Sequence, residues 1–428
     1  MRTKSFGLVT VLGLLAMAMT GCAKSSLNGI SSTDFVWVAT QGDQKVTAFS
    51  VNSSSGSASQ VGSAVSTGVT PIAMAMTPDG KTIFVANSGD STIGVYSVNS
   101  DGSLKGLGAT PSQGQFPVGL AIDPTGKLLF VTNQGTFTNK TSGTVAVFAI
   151  SSGALASKTV FPTEIPSNTT GTGPMAAVVS PVGFSCKAVV NQSPTSETCY
   201  ALYVANQFTS TVSAYDYFVD ANGNFVLGSL DSSGNFVTGG TVLNSPYPSG
   251  QNPSSLAFSR CAGVTTPTLN CSSADGNNLF VADSGSNDVN VFSACIQASA
   301  TCSSPDGRLT TVANAPFAAG IGPVSVIVHP AADFVYAVDV KSNEVSQFKY
   351  SPATSALSAL SPASVSTSIN NANPVSGGIT KDGNFVIVPN NGGSNVFVFR
   401  VGQPGGALAP AATESVPLSG QPSAVIAR

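Results

Sequence analysis

Apolar and polar positions along this chain follow one pattern that returns again and again. From Pro71 it reads PIAMAMTPDGKTIFVANSGDSTIGVYSV. A short apolar stretch starts at the proline, where a strand can begin without losing a ladder bond. Pro-Asp-Gly follows as a turn, because proline fixes φ and glycine accepts positive φ. The next stretch, Ile83-Phe84-Val85-Ala86, is apolar at every position, as expected of a strand packed on both faces. The third, Ile93 to Val98, alternates more. A Gly/Ser-rich fourth strand is expected before the next proline. No long amphipathic helical pattern appears in the first 100 residues beyond residue 22 or later, so the chain predicts all-β structure.

Five further units share this grammar. Pro117 opens PVGLAIDPTGKLLFVTNQG, followed by SGTVAVFAI from Ser142. Pro174 opens PMAAVVSP, continued by ALYVANQFTSTVSAYD from Ala201. Pro253 opens PSSLAFSR, continued by NLFVADSGSNDVNVFSA from Asn278. Pro323 and Pro374 open PVSVIVHPAADFVYAVDVKSNEVSQFKY and PVSGGITKDGNFVIVPNNGGSNVFVFR. The two ends are partial and complementary. FVWVATQGDQKVTAFSV from Phe35 matches second and third strands, and Pro422–Arg428 matches a first strand. Joined in one sheet they complete a seventh unit and leave no sheet edge open. The expectation is a seven-bladed β-propeller over residues 34–428 whose chain ends share one blade.

Proline spacings of 46, 57, 79, 70, 51 and 48 residues place insertions in the middle of the chain. Asp216 to Gly240 contains DANGNFVLGSL and DSSGNFVTGG, which read as an extra hairpin with Asp/Asn-Gly turns. Asp220-Ala221-Asn222 lacks the later ligands of a calcium loop.

Residues 1–21 read differently. Arg2 and Lys4 precede an apolar run from Phe6 to Met19, the layout of a secretory leader too short to span a bilayer. Met19-Thr20-Gly21-Cys22 resembles the lipobox of bacterial lipoproteins. That resemblance implies cleavage before Cys22, lipidation of its thiol, and a membrane partner through the anchor. Residues 22–33 then form the lipidated cysteine and a flexible tether. Ala23 after the cysteine resembles lipoproteins sent to the outer membrane. The address expected is the cell envelope.

Six of the seven cysteines remain: Cys186, Cys199, Cys261, Cys271, Cys295 and Cys302. Fifteen pairings are open, and joining neighbours, 186–199, 261–271 and 295–302, is the simplest. Disulfides suit an oxidising compartment. With no C-x-x-C and one histidine, no zinc site is expected. Only 9% of residues are charged and the formal net charge is −3. No basic face exists for phosphates, which excludes nucleic acid as a partner.

The units FVANSGDSTIGVYSV, PDGKTIFVAN and LYVANQFTSTVSAYD resemble the YVTN-type repeats of the lactonase-like β-propeller family, which includes propellers related to 6-phosphogluconolactonase. The resemblance covers residues 34–428 and implies the fold. It does not by itself imply catalysis, since the family includes binding and surface proteins.

Candidate chemistry is sparse. His329 stands where Thr77, Asp123, Ser180 and Thr380 stand in other units, which reads as a turn residue. There is no G-x-S-x-G elbow and no phosphate-cradling glycine loop. One constellation remains: Thr40, Asn87, Asn133, Asn206, Asp283, Asp339 and Asn390 end the second strands and are expected to ring one channel mouth. Amides and carboxylates there suit a glycan, a small polyol or a hard cation. Capping of turns by these same side chains is the alternative reading. Asp283 and Asp339 break the asparagine pattern with charge. The leading expectation is a non-catalytic, envelope-tethered ligand- or protein-binding scaffold that needs no cofactor. The other is a sugar-lactone hydrolase in which Asp283 or Asp339 activates water, with a divalent cation such as calcium.

Overall fold

The computed structural model describes residues 33–135, 143–162, 173–190, 193–231, 233–259, 277–299, 302–331, 333–367 and 372–428. Residues 1–32, on which the expected leader, Cys22 and expected tether fall, lie outside the described residues, as do Cys261 and Cys271. The strands form seven antiparallel sheets. In the second blade the order from channel to rim is Pro71–Met76, Thr82–Asn87, Thr92–Val98 and Leu104–Pro111. The other blades repeat it. Each innermost strand packs against that of the next blade, and the last of these contacts, Gly378–Ile379 with Pro422–Ala427, brings the series back to its start.

The expected joining of the ends occurs. Pro422–Ala427 pairs antiparallel with Thr33–Thr40, from Val36↔Ala427 to Thr40↔Pro422. Phe35 and Arg428 exchange backbone bonds of 2.8 and 2.9 Å.

Burial explains why the pattern was readable. Thr82–Asn87, Leu128–Asn133, Asn278–Asp283, Phe334–Asp339 and Phe385–Asn390 are buried at all six positions. They lie between sheets, so no polar alternation is required of them. Outer strands such as Ala58–Ser66 are mostly exposed and carry little signal. The blades are also latched by aromatic side chains with polar tips. Trp37 Nε1 donates to Gly102 O at 2.9 Å, and Tyr203 and Tyr336 hydroxyls donate to Gly307 O and Gly406 O at 2.7 Å. Each bond crosses from one blade to the next while the ring stays in the core.

Close approach of seven strands to one axis needs small side chains. The second residue after each opening proline is Ala73, Gly119, Ala176, Ser255, Ser325, Ser376 or Ala424. At Gly119 a Cβ would lie 2.6 Å from Met175 O in the neighbouring blade.

Two insertions differ in detail from expectation. Phe225–Leu230 pairs with Thr211–Val219 and so serves as the fourth blade's own outer strand; Phe236–Thr238 extends it. The fourth blade also carries Phe184–Val190, paired with the 14-residue strand Ser193–Asn206. Cys186–Cys199 and Cys295–Cys302 are bonded as neighbours.

Candidate functional site

Each of the seven residues Thr40, Asn87, Asn133, Asn206, Asp283, Asp339 and Asn390 stands opposite the proline that opens its blade. All seven are buried, at no more than 1% exposure. Their side chains bond within the blade or to the loop that enters it. Asn87 Nδ2 donates to Thr92 Oγ1 at 3.0 Å. Asn133 Nδ2 reaches Ser112 O at 3.3 Å and Asn390 Nδ2 reaches Thr367 O at 3.5 Å. Asn206 Nδ2 donates to Ser213 Oγ at 2.8 Å, and the Thr40 hydroxyl bonds to Asp43. The entering loop lies so close that a Cβ at Gly114 would sit 2.5 Å from the Asn133 side chain. Replacing Asn133 by Ala should therefore loosen this loop and cost about 1–2 kcal/mol, seen as a lower midpoint in thermal melts.

Asp283 accepts from Ser249 Oγ and Gly250 N at 3.0 Å and faces Asp288 across its hairpin. Burial, with the Asp288 carboxylate beside it, pushes its carboxyl up to about 8. Asp339 accepts from Ser346 Oγ at 2.7 Å and Ser346 N at 3.1 Å, and faces Glu344. Burial and the Glu344 charge push it up to about 7. Neither side chain lines the central channel.

The channel is a cavity of about 420 Å³ open at the axis. Innermost strands form its wall, for example Ile72, Leu120, Met175 and Val425. Its rim is made by the residue after each predicted one: Gln41, Ser88, Gln134, Gln207, Ser284, Val340 and Asn391. The N–H of each donates to the carbonyl of the residue just before the opening proline, in all seven blades, at 2.8–3.1 Å. Gln41, Gln207, Ser284, Val340 and Asn391 line the cavity directly. Gln134 Nε2 donates to Gln207 Oε1 at 2.8 Å and approaches Met175 Sδ at 3.6 Å. Among the described residues, none that lines the cavity carries an ionisable side chain. Strand alternation was the signal that could have found this rim: if a strand's last residue faces into the blade, the next one turns the other way.

His329 lies in the turn after its innermost strand, at the opposite end of the blade from Asp339. It is 4% exposed. Its Nδ1 accepts from Ala331 N at 3.1 Å, so the proton sits on Nε2, which donates to Gly383 O at 3.1 Å. One nitrogen serves its own turn and the other ties it to the corresponding turn of the next blade.

A family model described as "Lactonase, 7-bladed beta-propeller" matches residues 68–170 and 269–422. No curated protein sequence matches the chain. The solved periplasmic gluconolactonase of Pseudomonas aeruginosa has a TM-score of 0.65 at 18% identity, over 92% of this chain and 98% of that one. A candidate 6-phosphogluconolactonase of Bacteroides uniformis gives 0.64 at 16%, over 92% and 99%. A corresponding candidate from Bacteroides fragilis gives 0.64 at 18%, over 93% and 98%. At these identities the solved structures speak for the fold. The matched segments span more than half the chain and several of its seven sheets, and the chain therefore belongs to the lactonase-type seven-bladed β-propeller family.

Proposed function

We propose that this propeller is a non-catalytic binding module, exported and held at the cell envelope, whose channel mouth takes a neutral polyhydroxylated ligand. The observation that carries the reading is the chemistry of the rim. Gln41, Gln207, Asn391 and Ser284 surround a largely apolar shaft, and among the described residues its lining has no ionisable group. Amides and hydroxyls both donate and accept, which suits hydroxyl groups. An apolar cavity with a few convergent polar groups is the usual form of a small-molecule site. A phosphorylated ligand would need cations, and the described lining offers none. The two cystine bonds favour an oxidising compartment.

The second reading is lactone hydrolysis, favoured by family membership. It requires a group that activates water. Asp283 and Asp339 end the second strands of their blades, yet both are buried, with the Gly250 N–H donating to Asp283 and the Ser346 hydroxyl to Asp339. Incubation with D-glucono-1,5-lactone and its 6-phosphate, with and without calcium, separates the readings. The binding module should not accelerate ring opening in a pH-stat, but calorimetry should register the neutral lactone or a neutral sugar. Turnover that Asp283→Asn or Asp339→Asn removes would establish the hydrolase instead.

A further inference from the structure

We propose that the sector of the mouth between the third and fourth blades is a stacking platform for a carbohydrate ring, with Phe116 supplying the aromatic face and the Gln207 amide, held in place by Gln134, bonding a ring hydroxyl. This narrows the binding reading above and rests on it.

The first observation is conformational. The residue before the opening proline is left-handed in six blades: Thr70 (φ 53°), Phe116 (54°), Gly173 (57°), Asn252 (53°), Gly322 (72°) and Asn373 (49°). Glycine and asparagine take this conformation readily. A phenylalanine does so only against steric resistance. Phe116 nevertheless occupies it, and the residue is 39% exposed beside the rim residue Gln134. Thr70 takes the same conformation one blade earlier, so the strain belongs to the turn; what sets Phe116 apart is an aromatic side chain left in water at that place.

The second observation is what stands beside it. The Phe116 carbonyl accepts the Gln134 N–H at 2.9 Å, so the two residues are fixed to one another. Gln134 spends its amide N–H on Gln207 Oε1 at 2.8 Å. Gln134 is itself buried, at 7% exposure, so this bond fixes Gln207, which lines the channel and has its amide NH2 for a ligand. A pyranose hydroxyl offers the matching acceptor. The electron-rich face of a phenyl ring attracts the weakly positive C–H face of the same sugar. The described lining is uncharged, which favours a neutral ring over a sugar acid or a phosphate.

The test uses titration calorimetry of the purified chain with maltotriose, cellotriose and D-glucono-1,5-lactone, beside thermal melts. Phe116→Asn should keep or raise the melting midpoint, because asparagine suits the backbone better. It should weaken binding at least about tenfold, equivalent to about 1.4 kcal/mol. Phe116→Trp should bind within about threefold of the parent, and Gln207→Leu should lose affinity as Phe116→Asn does. If the parent binds a probe and Phe116→Asn binds it equally well, the platform is wrong while the binding role survives. If the parent binds none of the probes, the binding reading itself falls, and the platform with it.

Discussion

Removing Pro422–Arg428 should leave a chain that no longer folds as a closed wheel. Those residues supply the innermost strand of the first blade, and no other segment pairs along Thr33–Thr40 on that side. Val425 packs with Val36 and Val38, and Ala424 and Ile426 with the cluster around Trp37. Exposing these side chains costs about 4 kcal/mol. Losing roughly six backbone bonds costs about 1 kcal/mol each. The sum is comparable to the whole stability of an ordinary domain, about 5–15 kcal/mol. The truncated chain would also present an unpaired edge and should aggregate. Size-exclusion chromatography and thermal melts read the outcome. A permuted chain in which residue 428 is joined to residue 33, opened instead at Gly68, retains every blade and should fold. A truncated chain that stays monomeric with an unchanged melt would overturn the closure argument.

Asp283→Asn should stabilise the protein at neutral and alkaline pH and leave it unchanged near pH 4. The folded chain holds the proton of Asp283 up to about pH 8, against 3.8 for the ordinary carboxyl. Below 3.8 both folded and unfolded states are protonated, so the group costs nothing there. As pH rises, the unfolded chain gives up its proton first, and stability falls until the folded carboxyl also ionises. Asp339, held up to about 7, adds the same sign over a narrower window. The facing Asp288 is raised too, and Glu344 faces Asp339, so each acid meets another acid rather than a cation. Asparagine occupies the same place in four blades as Asn87, Asn133, Asn206 and Asn390, so the substitution fits the site. Allowing for relaxation around the charge, the gain at pH 8 should be about 2 kcal/mol. Denaturant melts between pH 4 and 8 should give a flatter profile for Asp283→Asn than for the parent; equal slopes would refute the assignment.

The wheel was legible because its repeated needs are written in residue types. An opening proline, a Pro-x-Gly turn and a wholly apolar second strand recur wherever a strand must lie between two sheets, as at Ile83–Ala86. The sharing of one blade by both ends followed from two fragments with complementary gaps, and Val36↔Ala427 is its physical form. The neighbouring cystines Cys186–Cys199 and Cys295–Cys302 were legible for the same local reason: a short hairpin brings its own ends together. The residues that line the channel, such as Gln207 and Asn391, come one position after the repeated ones. Repetition marks structural duty more strongly than ligand contact, and Asn133 repeats because it holds a loop. Gln134 varies to Ser88 and Val340 in other blades, so no pattern announced it. Phe116 carried its signal in φ, which a sequence does not display.

The direction in which the chain threads its first blade has a topographical consequence. Thr33 begins a strand that ends at Thr40 beside the channel mouth, so the backbone arrives from the opposite side of the disc. A lipid on Cys22 would then hold the disc by its underside. Ten intervening residues reach at most about 35 Å when stretched. The amide-ringed opening would look away from the bilayer, toward whatever diffuses past it.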